Sequence, residues 1–139
     1  MNKTKNVFEH WTEKKNGGEN KEFTEEISVL EPPQSVELGS LIKKTLGPLA
    51  DDYSIRILSA TQGKGKTIRE LSRELDIPIA TCYRRITELL EASLLTTVGR
   101  KLTQEGKRAS VLKSNIANIE VSFSAEDGKL KVVIKHSRT

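Results

Sequence analysis

Arg84 and Arg85 lie within the stretch Ile79-Ala80-Thr81-Cys82-Tyr83-Arg84-Arg85-Ile86-Thr87. They are the side chains of this sequence best suited to recognition chemistry, because a guanidinium can donate two parallel hydrogen bonds to a guanine edge or a phosphate. Ala80, Thr81 and Thr87 are small or hydroxylated and permit close approach, and Tyr83 adds a ring with a polar tip. At about 100° per residue, Cys82, Ile86, Leu89 and Leu90 fall on one side of a helix over Ile79–Glu91. Ala80, Arg84, Thr87 and Glu91 fall on the other, with Thr81 and Tyr83 on its flanks and Arg85 nearer the core boundary. The acids Glu88 and Glu91 come only in the second half, so the amino-terminal half is small, hydroxylated and cationic. A solvated helix face has the same composition, and Tyr83 fits packing against a preceding helix equally well.

A second cationic group, Arg100, Lys101, Lys107 and Arg108, brackets the turn Gln104-Glu105-Gly106-Lys107. Basic residues there suit phosphate contacts, though basic edge strands also serve solubility. Charge is unevenly spread. Residues 1–31 hold five Lys against seven Glu, whereas Lys64–Lys113 holds eleven Lys and Arg against six Asp and Glu, five positive charges in excess. Such a central excess fits a polyanionic partner.

Other chemistries find little support. Cys82 is the single cysteine, so neither an intrachain disulfide nor a thiolate cluster can form, and its apolar helical neighbours read as core. His10 and His136 have no partner at ligand spacing, so neither a metal nor a cofactor is expected. Gly63-Lys64-Gly65-Lys66-Thr67 lacks the Gly-x-x-x-x-Gly-Lys spacing of a phosphate loop and a preceding buried strand. With no nucleophile–base pair either, the chain is expected not to be an enzyme. No apolar run approaches the roughly 18–20 residues of a membrane span, and residues 1–20 contain no secretory hydrophobic segment. A cytoplasmic protein without membrane attachment is expected.

The elements that must position these residues follow from periodicity. Residues 1–35 are polar, contain Gly17-Gly18 and end with Pro32-Pro33; they read as a disordered tail carrying stray aromatics at Phe8, Trp11 and Phe23. Leu38, Leu41, Ile42 and Leu46 form the stripe of a short helix over 36–46, stopped by Gly47-Pro48. The next helix, over 51–61, is capped by Asp51 or Asp52 and offers Tyr53, Ile55, Ile57, Leu58 and Ala60 for burial. Thr67-Ile68-Arg69-Glu70 is a capping box, followed by Ile68, Leu71 and Leu75 as a stripe, and Asp76-Ile77-Pro78 ends that helix. After the 79–91 helix the period shortens: 94–103 and 108–113 form one hairpin. Ile119, Val121 and Phe123 with Leu130, Val132 and Ile134 form another around Glu126-Asp127-Gly128. The fold class is α+β. A winged helix-turn-helix domain of three helices and a β-wing is expected over 36–114, with a disordered tail (1–35) and a C-terminal β-hairpin extension (115–139).

The stretches LGPLADDYSIRIL (46–58), TIRELSRELDIPIATCYRRITELLEASLL (67–95) and GRKLTQEGKR (99–108) resemble arsenic-repressor-type (ArsR-like) winged helix-turn-helix regulators, including archaeal relatives of unknown effector. The resemblance covers roughly half the chain. It implies a transcriptional regulator whose helix 79–91 enters the major groove of double-stranded DNA, with Ala80, Thr81, Tyr83 and Arg84 at the family's contact positions. Arg85 and Thr87 complete the candidate helix set, and Arg100, Lys101, Lys107 and Arg108 in the wing 99–113 are the candidate phosphate contacts. It also implies a homodimer. Metal-sensing members carry a cysteine cluster where this sequence has Ser72, which disfavours metal sensing. The alternative is a protein-interaction adaptor, with a protein partner bound through the N-terminal tail or the C-terminal hairpin.

Overall fold

The computed structural model describes residues 7–15, 21–29 and 43–137. Two compact units result: one is Lys43–Asn115, and the other is built from strands that precede and follow it in the sequence.

In the first unit residues 43–46 are helical and run into a short 3-10 turn, Gly47–Ala50; residues 36–42 of the expected helix lie outside the described residues. Three helices follow: α1 (Asp52–Ala60), α2 (Ile68–Leu75) and α3 (Ile79–Glu91). Asp51 caps α1, its carboxylate accepting from the Ser54 amide at 2.9 Å and from the Ser54 hydroxyl. The capping box forms as expected: the Glu70 amide donates to Thr67 Oγ1 and the Thr67 amide to Glu70 Oε1. Asp76 ends α2 in the left-handed conformation, φ 54°, so its amide and that of Ile77 both reach the Ser72 carbonyl. An aspartate tolerates that conformation better than most residues, and the chain thereby turns into α3 within three residues. Pro78 stands at the N-cap of α3, where its missing N–H costs no hydrogen bond.

After α3 come the antiparallel strands β3 (Leu95–Leu102) and β4 (Arg108–Ser114), paired from Leu95↔Ser114 to Leu102↔Arg108 with an irregularity between Thr97 and Gly99. Lys66 joins their base as a one-residue third strand, exchanging backbone hydrogen bonds with Leu112 at 2.9 and 2.8 Å. Gly65 makes this approach possible: a Cβ there would lie 2.5 Å from Val111 Cγ1.

The core joins Ile57 of α1, Leu71 of α2, and Cys82, Ile86 and Leu89 of α3 to Ile77, Leu94, Leu95 and Leu112, each no more than 2% exposed. Thr61 shows how a buried polar group is satisfied there. Thr61 Oγ1 donates to the Ile57 carbonyl at 2.8 Å, and the Ser114 amide donates to the Thr61 carbonyl. Two expected core residues are corrected. Ile55 is 47% exposed because, two residues from the buried Ile57, it lies on nearly the opposite side of α1, and Leu90 is 37% exposed at the edge of the α3 stripe.

The second unit is a four-stranded antiparallel sheet of order β1-β2-β6-β5, with β1 Val7–Lys15, β2 Lys21–Val29, β5 Ile116–Ser124 and β6 Lys129–Ser137. The C-terminal hairpin therefore exists but does not stand alone, since β2 pairs with β6 from Glu22↔Ser137 to Val29↔Leu130. The reading of 1–35 as disordered is corrected for 7–15 and 21–29, and the rest of that stretch lies outside the described residues. In β2, Phe23, Ile27 and Val29 share one alternation phase with Glu25. That single charge breaks the phase in sequence, and its pairing partner lies about 100 residues away.

Candidate nucleic-acid interface

The turn at Asp76 fixes where α3 starts, and the apolar side of α3 fixes its rotation. Cys82, Ile86 and Leu89 are buried, so Ile79, Ala80, Tyr83 and Arg84 are left exposed along the amino-terminal half, with Thr87 just beyond it. Tyr83 is 55% exposed, so it is not buried against the preceding helix. Thr81 is half-buried. Thr87 Oγ1 donates back to the Tyr83 carbonyl at 2.9 Å, which holds its rotamer and leaves the oxygen able to accept.

Arg84 and Arg85 part company. The Arg84 side chain is exposed, and among the described residues it meets no carboxylate. Arg85 turns inward, with its side chain 24% exposed. Its Nε lies 3.0 Å from Asp51 Oδ2, an ion pair whose N–H is not aligned for a hydrogen bond, and its Nη1 donates to Glu88 Oε2 at 3.4 Å. Arg85 thus ties the recognition-like helix to the N-cap of α1, and the structure does not bring it together with the exposed set.

In the β3–β4 hairpin Arg100, Lys101, Lys107 and Arg108 are all exposed. Register and strand alternation put Arg100 and Arg108 on one face with Leu102, and Lys101 on the other. Lys101 Nζ lies 3.4 Å from Glu70 Oε1. Burial pushes the Glu70 carboxyl up, but the Thr67 hydrogen bonds and the Lys101 charge outweigh it and leave the group below its ordinary value. The turn itself is ordered by backbone: Gly106 sits at φ 79°, and the Lys107 amide donates to Thr103 Oγ1.

Arg69 escaped the sequence reading. Its Nη1 lies 3.0 Å from Glu105 Oε1, linking the first turn of α2 to the hairpin turn 36 residues later. No local pattern marks such a pair; only the fold brings the two ends together.

Cys82 is fully buried, its thiol directed at the Ile68 carbonyl 3.8 Å away, and burial pushes that thiol up. Among the described residues no group of three or more His, Cys, Asp or Glu gathers as a metal site, and no helix is long and apolar enough to cross a membrane.

Comparison with curated proteins and with solved structures returns no match. A comparison with protein families does: residues 49–98, from the turn before α1 into β3, match a helix-turn-helix domain, a DNA-binding kind of domain, and the match includes the α2–turn–α3 unit.

Proposed function

We propose that this protein is a transcriptional regulator of the ArsR-like winged helix-turn-helix type, and that it reads duplex DNA rather than catalysing a reaction. The observation that carries the proposal is the amino-terminal ridge of α3, where Ala80, Tyr83, Arg84 and Thr87 are exposed and Arg84 meets no carboxylate among the described residues. The helix-turn-helix match over the same helices supports it.

In this reading α3 enters the major groove. Arg84 is the base-edge contact, with Tyr83 and Thr87 beside it and Ala80 permitting close approach. Thr81, half-buried near the helix start, contributes at the margin of the contact. The β3–β4 hairpin is the wing, and Arg100, Lys107 and Arg108 neutralise phosphates, with Lys101 available once Glu70 releases it. Arg85 acts at one remove, by fixing the angle of α3 against Asp51. Two copies read two half-sites about one helical turn apart.

Selection of bound duplexes from a random pool at two salt concentrations tests the proposal and returns the site and its symmetry. On the selected site Arg84→Ala is expected to cost about 1–3 kcal/mol, and much less on random duplex. Equal losses on both would make Arg84 a phosphate contact, and no enrichment of any sequence would refute specific reading. No specific observation favours the adaptor alternative: the helix-turn-helix match covers residues 49–98, whereas β2 fills only one side of the C-terminal hairpin and leaves β5 at the sheet edge.

A further inference from the structure

Of the two edges of the four-stranded sheet, β1 (VFEHWTEKK) carries four charged residues in nine, the usual guard of an edge strand. The other edge, β5 (IANIEVSFS), carries one, Glu120, and has neither Lys nor Pro. Exposure steps across the adjacent β5·β6 pair. Val132 on β6 is 2% exposed while its cross-strand partner Val121 on β5 is 50%; Phe123, opposite Leu130, is 65% exposed. A β5 lined on its outer side by another strand would lose that exposure.

We propose that β5 pairs antiparallel with β5 of a second copy across a two-fold axis through Val121, joining two sheets into one. The register follows from the strand. Its regular portion, after the irregularity between Ile116 and Asn118, is Asn118–Ser124, whose midpoint is Val121. Centred there, Val121 meets Val121, Phe123 meets Ile119, and Glu120 meets Ser122, so apolar residues share one face and no like charges oppose. Centring on Glu120 would set two carboxylates against each other. Centring on Ser122 would shorten the overlap and put Ile119 against Ala125 in the turn. Shifting by half a step would mix the two faces. Such pairing is self-complementary, as a two-fold interface requires.

The inference stands on the sheet alone, and its test uses the full chain without DNA, so its failure leaves the reading of DNA by α3 of each copy untouched and bears only on how two copies are joined. Sedimentation equilibrium is expected to give twice the chain mass, and Val121→Lys the single mass with an unchanged circular dichroism spectrum. Cysteine scanning fixes the register, because native Cys82 is sealed in the core. Val121→Cys places two thiols across the axis, about 4.5–5.5 Å apart at Cβ, and crosslinks under mild oxidation. Phe123→Cys sets them about 14 Å apart along the strands and does not. Ser122→Glu, which opposes Glu120 twice per dimer, weakens association about tenfold, and Glu120→Lys in the same chain restores it. A monomeric native chain, or a dimer that Val121→Lys leaves intact and Val121→Cys fails to link, overturns the proposal.

Discussion

The two hairpins that follow α3 are close in length and opposite in construction. In β3 every residue after Leu95 is exposed, and β3–β4 is held to its unit at the base, through Leu95, Leu112 and Ser114. In β5–β6 the apolar residues alternate along the whole length, and Val132 and Ile134 are buried mid-strand. The first hairpin spends its outer half on cations and the second spends one face on packing. A hairpin anchored at one end suits a partner that is itself a charged surface; a hairpin with an apolar face suits sheet building.

The largest expected effect tests the base anchor. Leu112, 1% exposed, is expected to cost about 2–5 kcal/mol on replacement by alanine, whereas Leu102, 67% exposed nearer the turn, should cost under about 0.5 kcal/mol in urea unfolding. Similar losses would mean that the hairpin is braced along its length. Gly65→Ala attacks the same base from the Lys66 side. The added methyl meets Val111 Cγ1, for an expected loss of about 1–3 kcal/mol, most of it recovered when Val111→Ala is combined with it. In DNA titrations the charge contrast becomes measurable. Lys107→Ala with Arg108→Ala is expected to reduce the slope of log K against log salt by about 1.8, while Lys129→Ala with Lys131→Ala in the second hairpin leaves it unchanged.

The smallest effect concerns the residue that meets the hairpin from α2. Glu70 titrates below its ordinary value in the folded chain, so its contribution is complete above the unfolded value near 4.5 and is lost as pH falls through the lower folded one. Comparison of native and Glu70→Gln stability between pH 6 and 3 should show a native advantage that shrinks as the pH falls. A constant difference would exclude the charge as its source.

Much of the first unit was legible because its signals are local. The Thr67–Glu70 capping box, the stop at Asp76-Ile77-Pro78 and the four-residue stripe of α3 each specify structure within one or two turns. The apolar stripe even foretold that Arg85 leans toward the core, though not that Asp51, 34 positions earlier, receives it. Leu90 shows the limit of periodicity, which says which way a side chain points but not whether anything lies there, whereas the exposure of Ile55 follows from the period itself, which sets it opposite Ile57. Strands β1 and β2 were hidden for a related reason. Glu25 interrupts one alternation and Glu9 and Glu13 another; β1 and β2 pair with each other, but the second neighbour of β2 is the distant β6. The exposed ridge itself was readable, whereas the Arg69–Glu105 and Lys101–Glu70 pairs required the tertiary fold.

The pairing of β2 with β6 also sets a timetable for the nascent chain. The helical unit is one uninterrupted stretch and can close on local contacts as it leaves the ribosome, whereas β2, though paired locally with β1, must wait about 100 residues for its second neighbour, β6. At about 5–20 residues per second that delay is on the order of 5–20 s, far longer than helix or hairpin formation requires. Vectorial synthesis therefore yields the helix-turn-helix unit first and the complete four-stranded sheet last, so the second unit closes only after the first already holds its helices.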